Sequence, residues 1–168
     1  MIIRSDRVRL LSILEQFSRQ RITLLGDLVA DEFVYGEIAR VSREAPVLIL
    51  KQRGKKVVPG GGANAANNLA DLGARVTPVG VVGDDETGEA LLQYLQQKGI
   101  STRSIIRLRN HVTPTKSRIL GGLAHWQHQQ IVRVDREPSE PLLPAVRRKL
   151  TRRAESLLPR ASALLISD

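Results

Sequence analysis

The sequence predicts an α/β protein: a parallel β-sheet with helices on both faces, and a second, smaller sheet. Short apolar runs typical of buried strands alternate with segments of helical periodicity, which is the pattern of a parallel sheet covered by helices. Glycines follow two of the helical segments, at Gly73 and Gly99, where helices commonly end. The segments 33–52 and 104–134 contain strand-like pieces without intervening helices, so we expect them to form the smaller sheet.

The helices and strands of the first half of the chain are predicted from helix-capping residues and from the spacing of apolar residues. Ser5–Asp6 is typical of an N-cap, and apolar residues then recur at helical spacing at Leu11 and Leu14. The run RITLLGD is apolar enough for a buried strand that stops at Gly26. The predicted elements are, in order, a helix over 6–19, a strand over 21–26, half-exposed strands over 33–39 and 46–52, a helix over 62–72 and a strand over 75–80.

The second half is predicted in the same way. Asp84 or Asp85 caps a helix that continues through Lys98, and Pro144 introduces the last helix, which ends near Ser156. Between these helices, strands are predicted for SIIRLR, TPTKSRIL and QIVRVD. The final run ALLIS is predicted as a strand with an exposed apolar edge, so we expect the chain by itself to be marginally stable or prone to aggregate.

Composition limits the class of protein. With 168 residues, 42% of them hydrophobic and 26% charged, the chain is long enough for one domain with a buried core. It contains no cysteine, which excludes disulfides and thiolate metal sites. No apolar run is as long as a membrane span, and the first residues lack the apolar core of a signal peptide. We therefore expect a cytoplasmic protein without a membrane partner.

The net charge of +9 has several possible sources: a nucleic-acid partner, an anionic lipid surface, a phosphorylated substrate, or an acidic portion of a larger protein outside this chain. The predicted last helix lacks interleaved aromatic residues, which favours a solvated helix face over nucleic-acid binding. His125 and His128 flank Trp126 without carboxylate or cysteine neighbours, so no metal site is expected there. The basic run on the last helix is Arg147, Arg148, Lys149, Arg152 and Arg153.

A glycine triplet, Gly60–Gly62, leads into a predicted helix that carries Asn64. Without a Cβ, these residues let backbone N–H groups approach a bound polar molecule closely, and the helix start adds unpaired donors and a partial positive charge. That combination suits sugar hydroxyls or an anion. The segment matches neither GxxxxGK[ST] nor GxGxxG. A glycine-rich turn without a ligand is the open alternative.

Six segments, in a fixed order, carry a resemblance to a known family. They are GDLVADEFVYGEIARVSREAPV (26–47), PGGGANAANNLADLGA (59–74), VGVVGDDETG (79–88), TPTKSRIL (113–120), QIVRVDRE (130–137) and LLISD (164–168). With them the chain resembles the ribokinase-like (PfkB-type) carbohydrate kinases. The loop S-x-E-A-P-V and the strands T-x-T-K-x-R and Q-x-x-R-x-D make it most similar to the kinase domain that phosphorylates D-glycero-D-manno-heptose 7-phosphate, on the route to ADP-heptose and the lipopolysaccharide core.

The resemblance implies a sugar-binding group. Asp31, at the end of GDLVAD, would accept hydrogen bonds from sugar hydroxyls. Gly60 and Gly61 would donate backbone N–H groups to the same sugar. Asn64 would add a side-chain amide with donors and an acceptor.

The resemblance also implies a phosphate-binding group. Lys116, Arg118 and Arg133 would clamp the 7-phosphate, with arginine as the better bidentate partner. Asp135 would orient an arginine or bind the sugar. From the residues alone, the basic side chains could equally be ordinary exposed strand residues that blunt a sheet edge.

Finally, the resemblance implies a lid, formed by 33–52 and 104–134, that closes over the sugar and pairs two subunits into a homodimer. The family's catalytic base lies in a Gly-Ala-Gly-Asp segment, which does not occur in this sequence. We therefore expect residues 1–168 to be the N-terminal, substrate-binding part of one kinase domain, inactive by itself, with ATP and Mg²⁺ bound by the complete enzyme. The alternatives are another PfkB-type sugar kinase, or a non-catalytic fragment that acts as a dimerisation or basic binding module.

Overall fold

A computed structural model of the chain describes residues 2–122 and 128–167. Its helices are α1 (Ile2–Glu15), α2 (Gly61–Asp71), α3 (Glu86–Gln97) and α4 (Pro144–Leu157), with 3₁₀ turns at Phe17–Arg19 and Leu158–Arg160. Its strands are β1 (Arg21–Gly26), β2 (Leu28–Val41), β3 (Leu48–Gly60), β4 (Arg75–Gly83), β5 (Ile105–Leu108), β6 (Thr115–Gly122), β7 (Gln129–Arg136) and β8 (Ala163–Ser167).

The strands form two four-stranded sheets. The first has the order β5-β4-β1-β8 with every pair parallel, and both α2 and α4 contact its central strands β1 and β4. The second, which we call the lid sheet, has the order β3-β2-β6-β7. Within it β2 and β6 are parallel, whereas the two outer pairs are antiparallel. The predicted α/β class with a parallel sheet is therefore confirmed.

Two expectations about the lid sheet need correction. The segment 104–134 was expected to lie wholly in the small sheet, but β5 pairs with β4 in the parallel sheet. Ile105 and Ile106 are only 7% and 5% exposed, because β4, α3 and β5 form a strand–helix–strand unit whose second strand returns beside the first. In addition, β2 and β3 are longer than the short strands predicted at 33–39 and 46–52.

The extra length of β2 has a physical cause. Its first residues, Leu28 and Ala30, are buried in the main hydrophobic cluster, against Leu91 and Leu95 of α3. The strand therefore begins in the core and continues outward into the lid sheet, ending at the exposed Val41. The glycines predicted to end helices do so: Gly73 and Gly99 adopt the left-handed backbone with φ of +96° and +74°.

Apolar side chains are left exposed at the edge of the parallel sheet. Strand β8 pairs with β1 on one side, and Leu164, Leu165 and Ile166 are 42%, 38% and 69% exposed. This agrees with the predicted apolar edge. Over the described residues, no helix combines the length and the apolar character needed to cross a bilayer.

Candidate functional site

A cleft of about 930 Å³ opens where the carboxyl ends of the parallel strands meet the lid sheet. Gly26, Val81 and Ser167 contribute the ends of β1, β4 and β8, and Val29 and Lys116 contribute the lid sheet. The segment 137–142, which follows β7, lines the same cleft. Ligands of open α/β sheets bind outside the carboxyl ends of the strands, so this cleft has the position expected of a substrate site.

Strand register places charged residues together on one surface of the lid sheet. Asp31 of β2 lies opposite Lys116 of β6, and Lys116 in turn lies opposite Asp135 of β7. Because cross-strand neighbours project from the same side and side chains alternate along each strand, residues two positions further share that side. We call the part of this surface that β2, β6 and β7 contribute the charged lid face; it consists of Asp31, Phe33, Lys116, Arg118, Arg133 and Asp135.

Asp31 and Arg118 form an ion pair at the centre of the charged lid face. The Nη1 atom of Arg118 donates to Oδ1 of Asp31 and, at 3.4 Å, to the carbonyl oxygen of Lys116. The guanidinium carbon also lies 5.4 Å from the centre of the Phe33 ring, within the range of a cation–π contact. Both charged side chains are mostly buried, with 23% and 22% of their surface exposed.

The remaining charges of this face differ in their pairing. Arg133 and Asp135 form a two-point ion pair, with Nε–Oδ1 at 2.9 Å and Nη2–Oδ2 at 3.0 Å, on the exposed strand β7. Lys116 lines the cleft, and it has no carboxylate within 4.0 Å among the described residues. Since both arginines are neutralised by a carboxylate, Lys116 contributes the net positive charge of the charged lid face.

The predicted glycines lie beside Asp31. A Cβ added to Gly60 would stand 3.0 Å from Oδ2 of Asp31, so only glycine permits this close approach without displacement. Gly61 lines the cleft with φ of +49° and begins α2, whose N-terminus has no side-chain cap. Gly62 donates its N–H to the carbonyl oxygen of Asp27 at 2.8 Å. Asn64 lies within the first turns of α2 and is exposed.

The opposite surface of the lid sheet carries a second charged group that the sequence did not indicate. Glu32 accepts from the hydroxyl of Ser117 at 2.9 Å and pairs with Lys55 at 2.9 Å; Lys55 also approaches Glu86 of α3 at 3.5 Å. Burial works to raise the pKa of Glu32, but the bonds from Lys55 and Ser117 outweigh it, so the pKa is lowered. Successive side chains along β2 project from opposite surfaces of the sheet. This alternation is the sequence signal that places Glu32 and Asp31 on different surfaces.

Asp85 connects α3 to the segment that leads into β6. Its Oδ1 accepts from the Gly88 N–H at 2.8 Å, which caps the helix, and from the Thr113 hydroxyl at 2.7 Å. Its Oδ2 accepts from the Thr113 N–H at 2.9 Å. The Thr113 hydroxyl also accepts from the Gly83 N–H at 2.9 Å, and Thr113 is completely buried. Burial opposes the charge of Asp85, but these hydrogen bonds prevail and lower its pKa.

Among residues 2–122 and 128–167, no three His, Cys, Asp or Glu side chains are grouped so that they could hold a metal ion. His111 lines the cleft, and burial lowers its pKa below the usual 6.5. His125 and Trp126 lie outside the described residues, so the prediction for that segment stays open.

Comparison with known proteins places the chain among sugar kinases. The pfkB family of carbohydrate kinases matches residues 28–145. The bifunctional protein HldE of Pelobacter propionicus is 38% identical over 146 residues, which is 87% of this chain and 29% of that protein. HldE of Trichlorobacter lovleyi is 34% identical over 163 residues, or 97% of this chain and 32% of that protein. The chain thus spans about a third of the length of these curated relatives.

Solved structures agree on the fold. A carbohydrate kinase from Agrobacterium tumefaciens aligns with a TM-score of 0.59 at 21% identity, over 88% of this chain and 45% of that chain. Arabidopsis thaliana ribokinase complexed with ribose and ATP aligns with a TM-score of 0.57 at 16% identity, over 88% and 45%. The predicted ribokinase-like architecture is therefore confirmed, for the part of those proteins that this chain covers.

Proposed function

The chain belongs to the pfkB family of carbohydrate kinases, and on that premise we propose that it forms the substrate-binding part of an ATP-dependent kinase for D-glycero-D-manno-heptose 7-phosphate. The phosphate would be transferred to the anomeric hydroxyl, as a step of ADP-heptose and lipopolysaccharide core synthesis. The observation that carries the proposal is the charged lid face, which places a carboxylate and a free lysine beside the glycines at the start of α2.

Asp31 is suited to bind sugar hydroxyls. Arg118 occupies Oδ1, and Oδ2 is directed toward Gly60, where no side chain obstructs it. An ionised carboxylate accepts short, directional hydrogen bonds from hydroxyl donors. The Gly61 N–H, at the uncapped start of α2, would donate to a neighbouring oxygen of the same sugar. Asn64 stays in this proposal as a more peripheral contact, because it is exposed.

The phosphate of the substrate would be recognised through the positive charges of the same face. Lys116 lines the cleft and has its ammonium group available, so it is the first contact we assign to the 7-phosphate. Arg133 would join it by exchanging part of its bond with Asp135, since that pair is exposed and exposed pairs are held weakly. A phosphate with two such cations is bound by charge-assisted hydrogen bonds.

The rest of the proposal concerns the complete enzyme. Residues 1–168 would be the N-terminal part of a single kinase domain, and ATP with Mg²⁺ would bind outside the residues described here. A catalytic base and donors for the transferred phosphoryl group would come from the Gly-Ala-Gly-Asp segment of the family pattern. A homodimer through the lid would cover the exposed apolar residues of β7, which are Ile131, Val132 and Val134.

Calorimetric titration of the protein with D-glycero-D-manno-heptose 7-phosphate tests the proposal. We expect Asp31→Asn to weaken binding at least tenfold, because an amide loses the charge that strengthens each bond to a hydroxyl. Asp71→Asn is the matched control, since Asp71 is an exposed carboxylate at the end of α2. Unchanged affinity in Asp31→Asn would refute sugar binding at this position.

A second candidate is a kinase for an unphosphorylated sugar, still within the pfkB family. It is favoured by the pairing of Arg118 and Arg133 with carboxylates, which reduces the positive charge that this face offers to a phosphate dianion. Titration with the corresponding heptose, without its phosphate, separates the two candidates. Equal or tighter binding of the unphosphorylated heptose would select the second one.

A further inference from the structure

We propose that Arg118 is a positioning residue for Asp31 and does not clamp the substrate's phosphate. This inference rests on the proposed function, because it concerns how the same site binds its sugar. It reassigns a residue that the family resemblance placed with the phosphate ligands. The division of roles follows from what each basic side chain of the charged lid face already contacts.

Three contacts fix the Arg118 guanidinium. It donates to the carboxylate of Asp31 and to the carbonyl oxygen of Lys116, and it lies over the ring of Phe33. These contacts come from the two adjacent parallel strands β2 and β6, whose register sets Phe33 directly opposite Arg118. An arginine held by an anion, a carbonyl and an aromatic face keeps one orientation, because its planar group satisfies all three at once.

Binding a phosphate through Arg118 would disturb this arrangement. To turn toward a phosphate, the guanidinium would leave a carboxylate that is mostly buried, and Asp31 would then be an unpaired buried charge. Lys116 has no carboxylate partner within 4.0 Å among the described residues, and it lines the cleft. Lys116 therefore discriminates between phosphorylated and unphosphorylated substrates, whereas Arg118 holds the Asp31 carboxylate in one orientation beside Gly60.

This assignment has a distinctive consequence for affinity. Loss of Arg118 would weaken binding of heptose 7-phosphate and of unphosphorylated heptose by the same factor, because both share the hydroxyls that Asp31 holds. Loss of Lys116 would weaken the phosphorylated sugar alone. In an Asp31→Asn background, loss of Arg118 would add little, since residues that act through one another are not additive.

The test is calorimetric titration of the wild type, Arg118→Met, Lys116→Met, Asp31→Asn and the double variant Asp31→Asn/Arg118→Met with both sugars. We expect Arg118→Met to lose about tenfold or more for both sugars, as misplacement of a binding group does. Its additional effect in the Asp31→Asn background should be less than about threefold. Lys116→Met should reduce affinity for heptose 7-phosphate only.

Arg53→Met is the matched control, because Arg53 pairs with Glu37 on the exposed part of the lid sheet; we expect wild-type affinity for both sugars. Arg118→Lys keeps the charge, and we expect it to recover part of the loss even if Arg118→Met folds poorly. A loss in Arg118→Met confined to the phosphorylated sugar, or no loss at all, would overturn the positioning role while the proposed function stands. Absence of binding by the wild type would overturn both.

Discussion

Substitution of Asp85 by alanine should destabilise this protein more than its surface position implies. Asp85 is partly exposed, but its carboxylate accepts from the N–H groups of Gly88 and Thr113 and from the Thr113 hydroxyl. Alanine removes the cap of α3 and, at the same time, the acceptor of a backbone N–H at a completely buried residue. The two losses concern different donors, so they add in the first approximation.

The magnitude follows from those two losses. Replacement of an aspartate N-cap by alanine costs about 1 kcal/mol. A buried N–H left without an acceptor costs about 1–3 kcal/mol, and Thr113 has no exposed surface through which water could replace the carboxylate. We therefore expect Asp85→Ala to lower the free energy of unfolding by about 2–4 kcal/mol, which is a large share of the stability of a small domain.

Urea unfolding at pH 7 measures this change, and the neighbouring residue is its control. Asp84 is also a carboxylate, but it is exposed and pairs with the exposed Arg107 at 2.8 Å. Asp84→Ala should shift the unfolding midpoint only slightly, because solvent screens an exposed pair. If the two variants lose the same free energy of unfolding, the hydrogen bonds of Asp85 do not stabilise the contact between the start of α3 and Thr113.

The effect of Asp85 should also depend on pH in one direction. The folded protein holds the pKa of Asp85 below its usual 3.8, so the folded state prefers the ionised carboxylate. A lowered folded pKa gives a stabilisation that is complete above the unfolded pKa and is lost as the pH falls through the folded one. The stability difference between wild type and Asp85→Ala should thus be constant near neutral pH and shrink below about 3.8.

Two further substitutions test the contact between the start of α3 and Thr113, and the exposed edge strand β8. Gly88→Ala would place a Cβ 2.5 Å from the carbonyl oxygen of Gly83 and 2.7 Å from the Thr113 hydroxyl, so we expect a loss of about 1–3 kcal/mol in urea unfolding. Ile166→Lys puts a charge on the most exposed apolar residue of the edge strand β8, and static light scattering should show less association than the wild type.

Each of these has a control elsewhere in the chain. Gly54→Ala adds a Cβ with no atom within 4 Å, so its unfolding curve should overlay that of the wild type. Val47→Lys introduces the same charge at an exposed apolar residue outside β8. If Val47→Lys reduces association as much as Ile166→Lys does, net charge and not the strand edge governs the behaviour.

Sequence patterns predicted the strand β1 of the parallel sheet well, but they assigned β5 to the wrong sheet and described the lid sheet less well. Strand β1 has the predicted bounds, Arg21–Gly26, because a largely apolar segment centred on the buried Thr23 and Leu24 lies between two parallel neighbours. The long strands β2 and β3 were underestimated, since charged and glycine residues such as those in 53–56 are unfavourable strand formers by themselves. Pairing with a neighbour overrides that preference, and pairing is not visible in local composition.

The arrangement of the candidate site also depends on strand pairing, which local composition does not reveal. Asp31, Lys116 and Arg118 were each predicted to bind substrate, and that role stays a prediction. Their mutual arrangement was not foreseen, because the Asp31–Arg118 pair joins residues 87 positions apart through the register of β2 against β6. A shift of one residue in that register would turn Arg118 to the opposite surface. The hydrogen bonds between Asp85 and Thr113 were not predicted either, because they also join residues that are far apart in the sequence.

The residues of the charged lid face differ in how close they lie to the buried core, and this difference affects how rigidly each one is held. Asp31 follows the fully buried Ala30, and Lys116 follows the buried Thr115, so both lie one residue beyond anchored backbone. Arg133 and Asp135 belong to β7, which is exposed along its whole length. Preorganised groups bind without the cost of ordering, and exposed groups do not share this advantage. Substrate affinity should therefore depend more strongly on the residues next to the core than on those of β7.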